Sequence, residues 1–279
     1  MLYVFCYYEA MSIWMVIFLF VLGLSVGSFL NVVIYRLPRK ESLITPPSSC
    51  PNCHIPIKWY DNIPVVSFII LRGRCRNCGQ RISLRYPIVE LFTGILFAFV
   101  FLKVVGVPSS TFDGPPPPSI GYQEIIRLIA YLFFVSILVA IAYIDAEHQV
   151  IPNRIVYPSF VIGSALIIIA DPGNFLFYLA GFAVSGGLLF LISLFKEGGM
   201  GGGDVKLAAL MGIFLGLQVL LALFIGFLVG AIVGITLALF KKRSIKEPIA
   251  FGPFLALGGL ITLFYGTPII NLYLRLILS

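Results

Sequence analysis

Two aspartates and four cysteines carry the chemistry legible in this 279-residue chain. Asp204 follows Gly198-Gly199-Met200-Gly201-Gly202-Gly203 and precedes Val205, Lys206 and a long uncharged run. An ionisable residue at membrane depth costs about 2.5 to 3.5 kcal/mol on insertion scales, so its presence there points to function. Glycines at 201, 202 and 203 let another chain approach the carboxylate closely, and a helix starting at Asp204 would favour its charged form. The plainer reading is a glycine-rich loop whose aspartate only caps a helix. A second carboxylate shifts the balance: Asp145 closes an apolar run in Tyr143-Ile144-Asp145-Ala146-Glu147-His148. Two aspartates at one depth could act as a dyad, one ionised to activate water and one protonated to donate to a carbonyl oxygen.

Cys50-Pro51-Asn52-Cys53 and Cys75-Arg76-Asn77-Cys78 are separated by 21 residues, the paired Cys-x-x-Cys spacing of a four-thiolate structural zinc site. Flanking Lys58, Arg74 and Arg76 favour thiolates, whereas either pair alone would read as a redox motif. His54 is expected to be a surface neighbour, because four cysteines already complete a tetrahedron. No His-Glu-x-x-His frame accompanies Glu147 and His148, which argues against a zinc protease.

The elements that must position these groups are membrane helices. The chain is 59% hydrophobic and 11% charged with a mean hydropathy of +1.03, which excludes a soluble globular protein and defines an all-α polytopic membrane protein. About eight transmembrane spans are expected, near 12–35, 87–107, 123–145, 155–170, 175–195, two within 205–240 broken near Gly216, and 252–277. The first run lacks the preceding Lys or Arg of a signal peptide and is read as a span. Residues 36–86 form a polar, Pro-rich insert, within which Ile63–Leu71 is too short to span and suits a strand or an interfacial segment. Residues 108–122 make a Pro-rich linker that cannot be helical. The domain division is therefore 1–107 with the insert, the linker, and a membrane domain over 123–279.

The basic residues set the orientation. Nine Lys or Arg lie in 36–86, one in 146–154, two in 196–206 and four in 241–247, loops that fall on one side of an eight-span chain. The positive-inside rule makes that side cytoplasmic, with both termini outside. This accounts for the net charge of +7, so no nucleic-acid role is needed. It also brings Asp145 and Asp204 to the same cytoplasmic boundary and puts the cysteines in a reducing compartment, where disulfides are rare.

The motif Gly201-Gly202-Gly203-Asp204-Val205-Lys206 resembles the Gly-x-Gly-Asp-x-Lys motif of the type IV prepilin peptidases, intramembrane aspartic proteases. Asp145 with Ile151-Pro152 is similar to that family's first catalytic aspartate. Gly27-Ser28-Phe29-Leu30-Asn31-Val32-Val33-Ile34-Tyr35-Arg36-Leu37-Pro38, Arg85-Tyr86-Pro87-Ile88-Val89-Glu90 and Ala250-Phe251-Gly252-Pro253-Phe254-Leu255-Ala256 resemble its other signatures, in the family's order. Asn153 stands where members often carry a third Asp.

The resemblance implies an enzyme of the cytoplasmic (inner) membrane that removes the short basic leader from prepilins and pseudopilins, cutting after a glycine ahead of their hydrophobic N-terminal helix. It also implies methylation of the new N-terminus with S-adenosylmethionine, carried onto Gly27, Asn31, Arg36 and Glu41. Lys206 is expected either to balance charge at the active site or to meet lipid phosphate, and Glu90 either to face the methyl-transfer region or to snorkel. Asp113 and Asp171 read as turn carboxylates. A proton-coupled transporter relaying protons through Asp145 and Asp204 is the rival reading; it predicts inverted repeats and mid-bilayer carboxylates.

Overall fold

The computed structural model describes residues 2–106, 121–195, 201–240 and 250–278, with side chains in the first helix described from Ile13. The Pro-rich linker apart from its last two residues, the first three residues of the glycine run and the basic loop 241–247 lie outside the described residues. All named elements are helical: α1 (Leu2–Arg36), α2 (Val66–Ile70), α3 (Arg85–Val105), α4 (Tyr122–His148), α5 (Asn153–Ala170), α6 (Phe175–Phe195), α7 (Gly202–Leu215), α8 (Val219–Leu239) and α9 (Gly252–Leu278). The chain is an all-α multi-pass membrane protein. It divides into two compact units, Met1–Glu124 and Ile125–Ser279.

In the first unit α1 and α3 pack through small residues. A Cβ on Gly23 would lie 2.7 Å from the Gly94 Cα, and one on Gly27 would lie 2.6 Å from the Glu90 Cα. This close backbone approach replaces the hydrophobic driving force that lipid does not supply. The insert between them contains the short helix α2 after a 3-10 turn at Trp59–Asn62, not a strand across Ile63–Leu71. Val65 enters α2 with φ of 61°, a left-handed conformation that β-branched residues rarely adopt and that breaks an extended run.

In the second unit α7 is the central element. Every side chain from Leu207 to Leu215 is buried, as expected of a helix apolar on all faces. It meets α6 through Ser185, which donates to the Ala208 carbonyl at 2.9 Å, and through Gly186 against Ala209. Phe134 of α4 stacks on Phe214 at 4.6 Å. Seven stretches among the described residues are long and apolar enough to cross a membrane, with Gly202–Leu239 counted as one. The difference from the eight expected spans lies in α7, which at 14 residues is about 21 Å long and shorter than the hydrocarbon layer. The break near Gly216 is where the sequence indicates it. Gly216 has φ of 58° and lies against Phe177 and Gly181 at the start of α6. From there α8 returns alongside α9, with Gln218 bonded to Thr267, Gly226 against Leu255 and Gly230 against Phe251.

Candidate functional site

The end of α4 and the starts of α5, α7 and α9 converge in the second unit. Helix α4 continues past Asp145 to His148 before Pro152 stops it, so Asp145 sits one turn inside the helix rather than at its tip. It is 5% exposed. Its Oδ2 accepts the backbone N–H of Gly252 at 2.8 Å, at the start of α9. A Cβ on Gly252 would stand 2.7 Å from that oxygen, so only glycine gives the amide this approach. Sequence reasoning assigned Gly252 no role; the signal was a Gly-Pro pair opening a helix, where free N–H groups accumulate.

Asp204 lies in the first turn of α7, with Gly201 as the preceding cap residue. A Cβ on Gly201 would lie 3.2 Å from the Asp204 Oδ2, and one on Gly203 would lie 2.9 Å from Ile151. Gly203 therefore seats the α7 start against the loop that follows Asp145, whereas Gly202 has open space where a side chain would go. The two carboxylates thus lie on separate helices at the same end of the unit, Asp145 against the start of α9 and Asp204 at the start of α7 beside the loop that follows Asp145. Lys206 meets neither aspartate in a direct bond. Its Nζ donates to Asn153 Oδ1 at 3.0 Å and lies over the Tyr157 ring, on α5. Asn153 is thus the partner of Lys206, a pairing invisible in a sequence that separates them by 53 residues.

Asp171, read as a turn carboxylate, does more than turn the chain. It accepts from Tyr178 Oη at 3.1 Å and from Asn174, with Arg127 of α4 at 3.9 Å.

In the first unit the four sulfurs of Cys50, Cys53, Cys75 and Cys78 all lie within 4.8 Å of one another. The Cys50–Cys78 separation is 3.8 Å, which matches the edge of a tetrahedron with metal–sulfur bonds of about 2.3 Å. Both pairs sit on equivalent turns: His54 and Gly79 donate back to the Cys50 and Cys75 carbonyls, each with positive φ, and Cys50 and Cys75 donate to Ile55 and Gln80. The Gln80 amide, then the Asn52 side chain, hold Cys78 down to about 6. The Cys53 amide chiefly lowers Cys50. At Cys53 the Ile55 amide pulls downward, but burial and the neighbouring thiols push it up to about 11. Such crowded thiols resist joint ionisation unless a cation supplies the compensating charge, so the cluster fits a metal ion. His54 is exposed and outside it. Arg76 forks onto Asp61, bracing the second turn.

Of the residues carried by resemblance for methyl transfer, Gly27 and Asn31 face α3 together. Asn31, 1% exposed, donates to the Gly27 and Tyr86 carbonyls, at 3.3 and 3.1 Å. Arg36 is buried and its guanidinium donates to the Ser42 and Pro46 carbonyls, tying down the start of the insert. Glu41 is exposed, and its amide donates to the Arg36 carbonyl at 3.1 Å. Glu90, buried on α3, accepts the Val65 N–H at 2.7 Å and so links the insert to the helix.

Apolar helices long and numerous enough to cross a membrane, with one carboxylate where α4 ends and another where α7 begins, define a multi-pass membrane protein with polar groups gathered at its helix ends. The chain belongs to the type IV leader peptidase family. Residues 132–235 match that family, and residues 21–104 match the bacterial peptidase A24 N-terminal domain. A prepilin leader peptidase/N-methyltransferase of Bacillus subtilis is 34% identical over 94% of this chain and 98% of its own length. Its counterpart in Myxococcus xanthus is 40% identical over 82% of this chain, which spans only 64% of that longer relative. The Pseudomonas aeruginosa protein of the same name is 34% identical over 91% of both. No solved structure matches. None of these relatives is named a transporter, and the proton-relay reading is not supported.

Proposed function

We propose that this chain removes the leader from type IV prepilins and pseudopilins and then methylates the new N-terminal amine. Asp145 and Asp204 are the catalytic pair. One carboxylate takes a proton from water as its oxygen attacks the scissile carbonyl, and the other gives its proton to the carbonyl oxygen. Collapse of the tetrahedral intermediate breaks the C–N bond, and a carboxyl proton passes to the leaving amine. Like-charge repulsion at short range favours a single shared proton on such a pair. Gly202 leaves room for an extended substrate strand, Gly201 and Gly203 let the chain pack closely around Asp204 and Ile151, and Lys206, held by Asn153, sets the local positive charge. The observation that carries the reading is the convergence of Asp145, held by the Gly252 amide, with Asp204 at one end of the second unit.

The substrate's hydrophobic N-terminal helix would lie in the bilayer, with its basic leader on the cytoplasmic side of the inner membrane. The loops that carry most Lys and Arg support that orientation. Cys50, Cys53, Cys75 and Cys78 hold structural Zn2+, because four thiolates in a closed tetrahedron leave no open position for catalysis. S-adenosylmethionine would supply the methyl group near Gly27 and Asn31, with Arg36 and Glu41 at the border with the insert. The division into 1–107, 108–122 and 123–279 assigns methyl transfer to the first part and peptidase chemistry to the last.

The test is incubation of the purified chain in lipid with a full-length prepilin, followed by mass spectrometry of the mature N-terminus. Leader loss followed by a methyl increment is expected. An intact prepilin after prolonged incubation would refute the peptidase reading, and a cleaved but never methylated product would refute the second activity.

A further inference from the structure

The first unit holds a buried carboxylate without a counter-charge. Glu90 is 7% exposed, its hydrogen-bond partner is the Val65 amide at 2.7 Å, and the Ser28 hydroxyl stands beside it, both neutral. Among the described residues no Lys, Arg or His forms an ion pair with it. A carboxylate offers on the order of four acceptor positions, so two neutral donors leave capacity. A buried ion lacking an opposite charge is costly, and a cationic ligand is the direct remedy.

A second group on the same seam shows the same deficit. Asn31 spends its Nδ2 on the Gly27 and Tyr86 carbonyls. Its Oδ1 is buried and accepts nothing. Tyr86 and Glu90 are one turn apart on α3, Gly27 and Asn31 one turn apart on α1, and Gly27 abuts the Glu90 backbone. Two acceptors, one of them a carboxylate, thus lie on one α1–α3 seam, and among the described residues Asn31 Oδ1 has no donor. Their shared demand is a compact cation with several N–H bonds, which a primary ammonium meets.

We propose that Glu90 and Asn31 form the receptor for the ammonium group of the newly exposed N-terminus, with Glu90 as the catalytic residue that takes its proton; this rests on the N-methylation reading. Asn31 Oδ1 and the Glu90 carboxylate accept the ammonium N–H bonds. One proton passes to Glu90, which frees the nitrogen lone pair. That pair forms the N–C bond with the methyl carbon of a sulfonium donor while the C–S bond breaks, its electrons staying on sulfur as a thioether. The product is a methylammonium, and Glu90 returns its proton to water.

The experiment uses the full chain in lipid nanodiscs and a fluorescein-labelled hexapeptide beginning with phenylalanine, with its amine free or acetylated. Wild type is expected to bind the free amine about tenfold or more tightly, as one charge-assisted hydrogen bond implies. Glu90→Gln keeps an acceptor for the Val65 amide and should lose that preference together with methylation of the peptide, while Glu90→Asp should keep part of both. A Gln variant that retains the preference overturns the proposal, and so does equal loss in the Gln and Asp variants, which would make Glu90 only a strut for the insert. If wild type transfers no methyl group at all, the N-methylation reading fails, and the binding preference still decides whether this site receives an amine.

Discussion

The Gly252 amide reaches across from α9 to Asp145 Oδ2 at 2.8 Å and fixes one carboxylate from a residue 107 positions away. A Cβ there would stand 2.7 Å from that oxygen. Gly252→Ala should therefore displace Asp145 without removing the N–H. A misplacement of about 1 Å costs up to about 10²-fold in rate, so prepilin cleavage is expected to fall between about 10-fold and 10²-fold, mainly in kcat. Steady-state kinetics on a prepilin in proteoliposomes measures it, and an unchanged kcat would show that Asp145 does not depend on this contact.

Asp145→Asn and Asp204→Asn each preserve shape and remove the acid–base function. Each should lower cleavage by about 10²-fold to 10⁴-fold while the protein remains inserted and folded. Processing at the wild-type rate by either variant in purified membranes would end the dyad assignment. Serine- and cysteine-directed inhibitors should have no effect on cleavage.

Asn153→Asp should convert the contact with Lys206 into an ion pair at an exposed site. Exposed pairs contribute about 1 kcal/mol or less, so cleavage should stay within about twofold of wild type. A much larger change would mean that Lys206 must keep its charge uncompensated for the reaction.

One zinc ion per chain is expected in protein purified without chelator. Cys75→Ser together with Cys78→Ser should abolish it, since two ligands of four are lost, and should leave the insert protease-sensitive because metal binding contributes to folding. Unchanged zinc by mass spectrometry in that variant would remove the cysteines from the site.

The two activities should separate. Asp204→Asn should block both reactions on full-length prepilin yet methylate a pre-cleaved pilin. Gly27→Leu, whose Cβ alone would lie 2.6 Å from the Glu90 Cα and push α1 from α3, should give cleaved but unmethylated product. The N-terminal mass of each pilin decides it, and proportional loss of both reactions in both variants would mean that the activities share one structural unit.

Composition and spacing alone determined the class of this protein. A chain so apolar must be helical in lipid, where backbone groups can bond only within their own segment, and that leaves little freedom in the fold. The cysteine pairs were equally legible, because a tetrahedral site imposes its own short-range geometry. The glycine run and Asp145 stood out because charge at an apolar boundary is costly. What lay beyond the sequence was long-range and set by packing. The helix α2 replaced a possible strand because Val65 turns into the left-handed region while its amide bonds Glu90. The short sixth helix and its break near Gly216 were legible, but not that α7 is buried along its length by other helices. Gly252 on Asp145, Asn153 on Lys206 and Glu90 beside Gly27 each join residues from different helices, and no periodicity within one helix encodes a partner on another. Only tertiary packing, which brings small residues together so that backbones nearly touch, decides which polar groups meet.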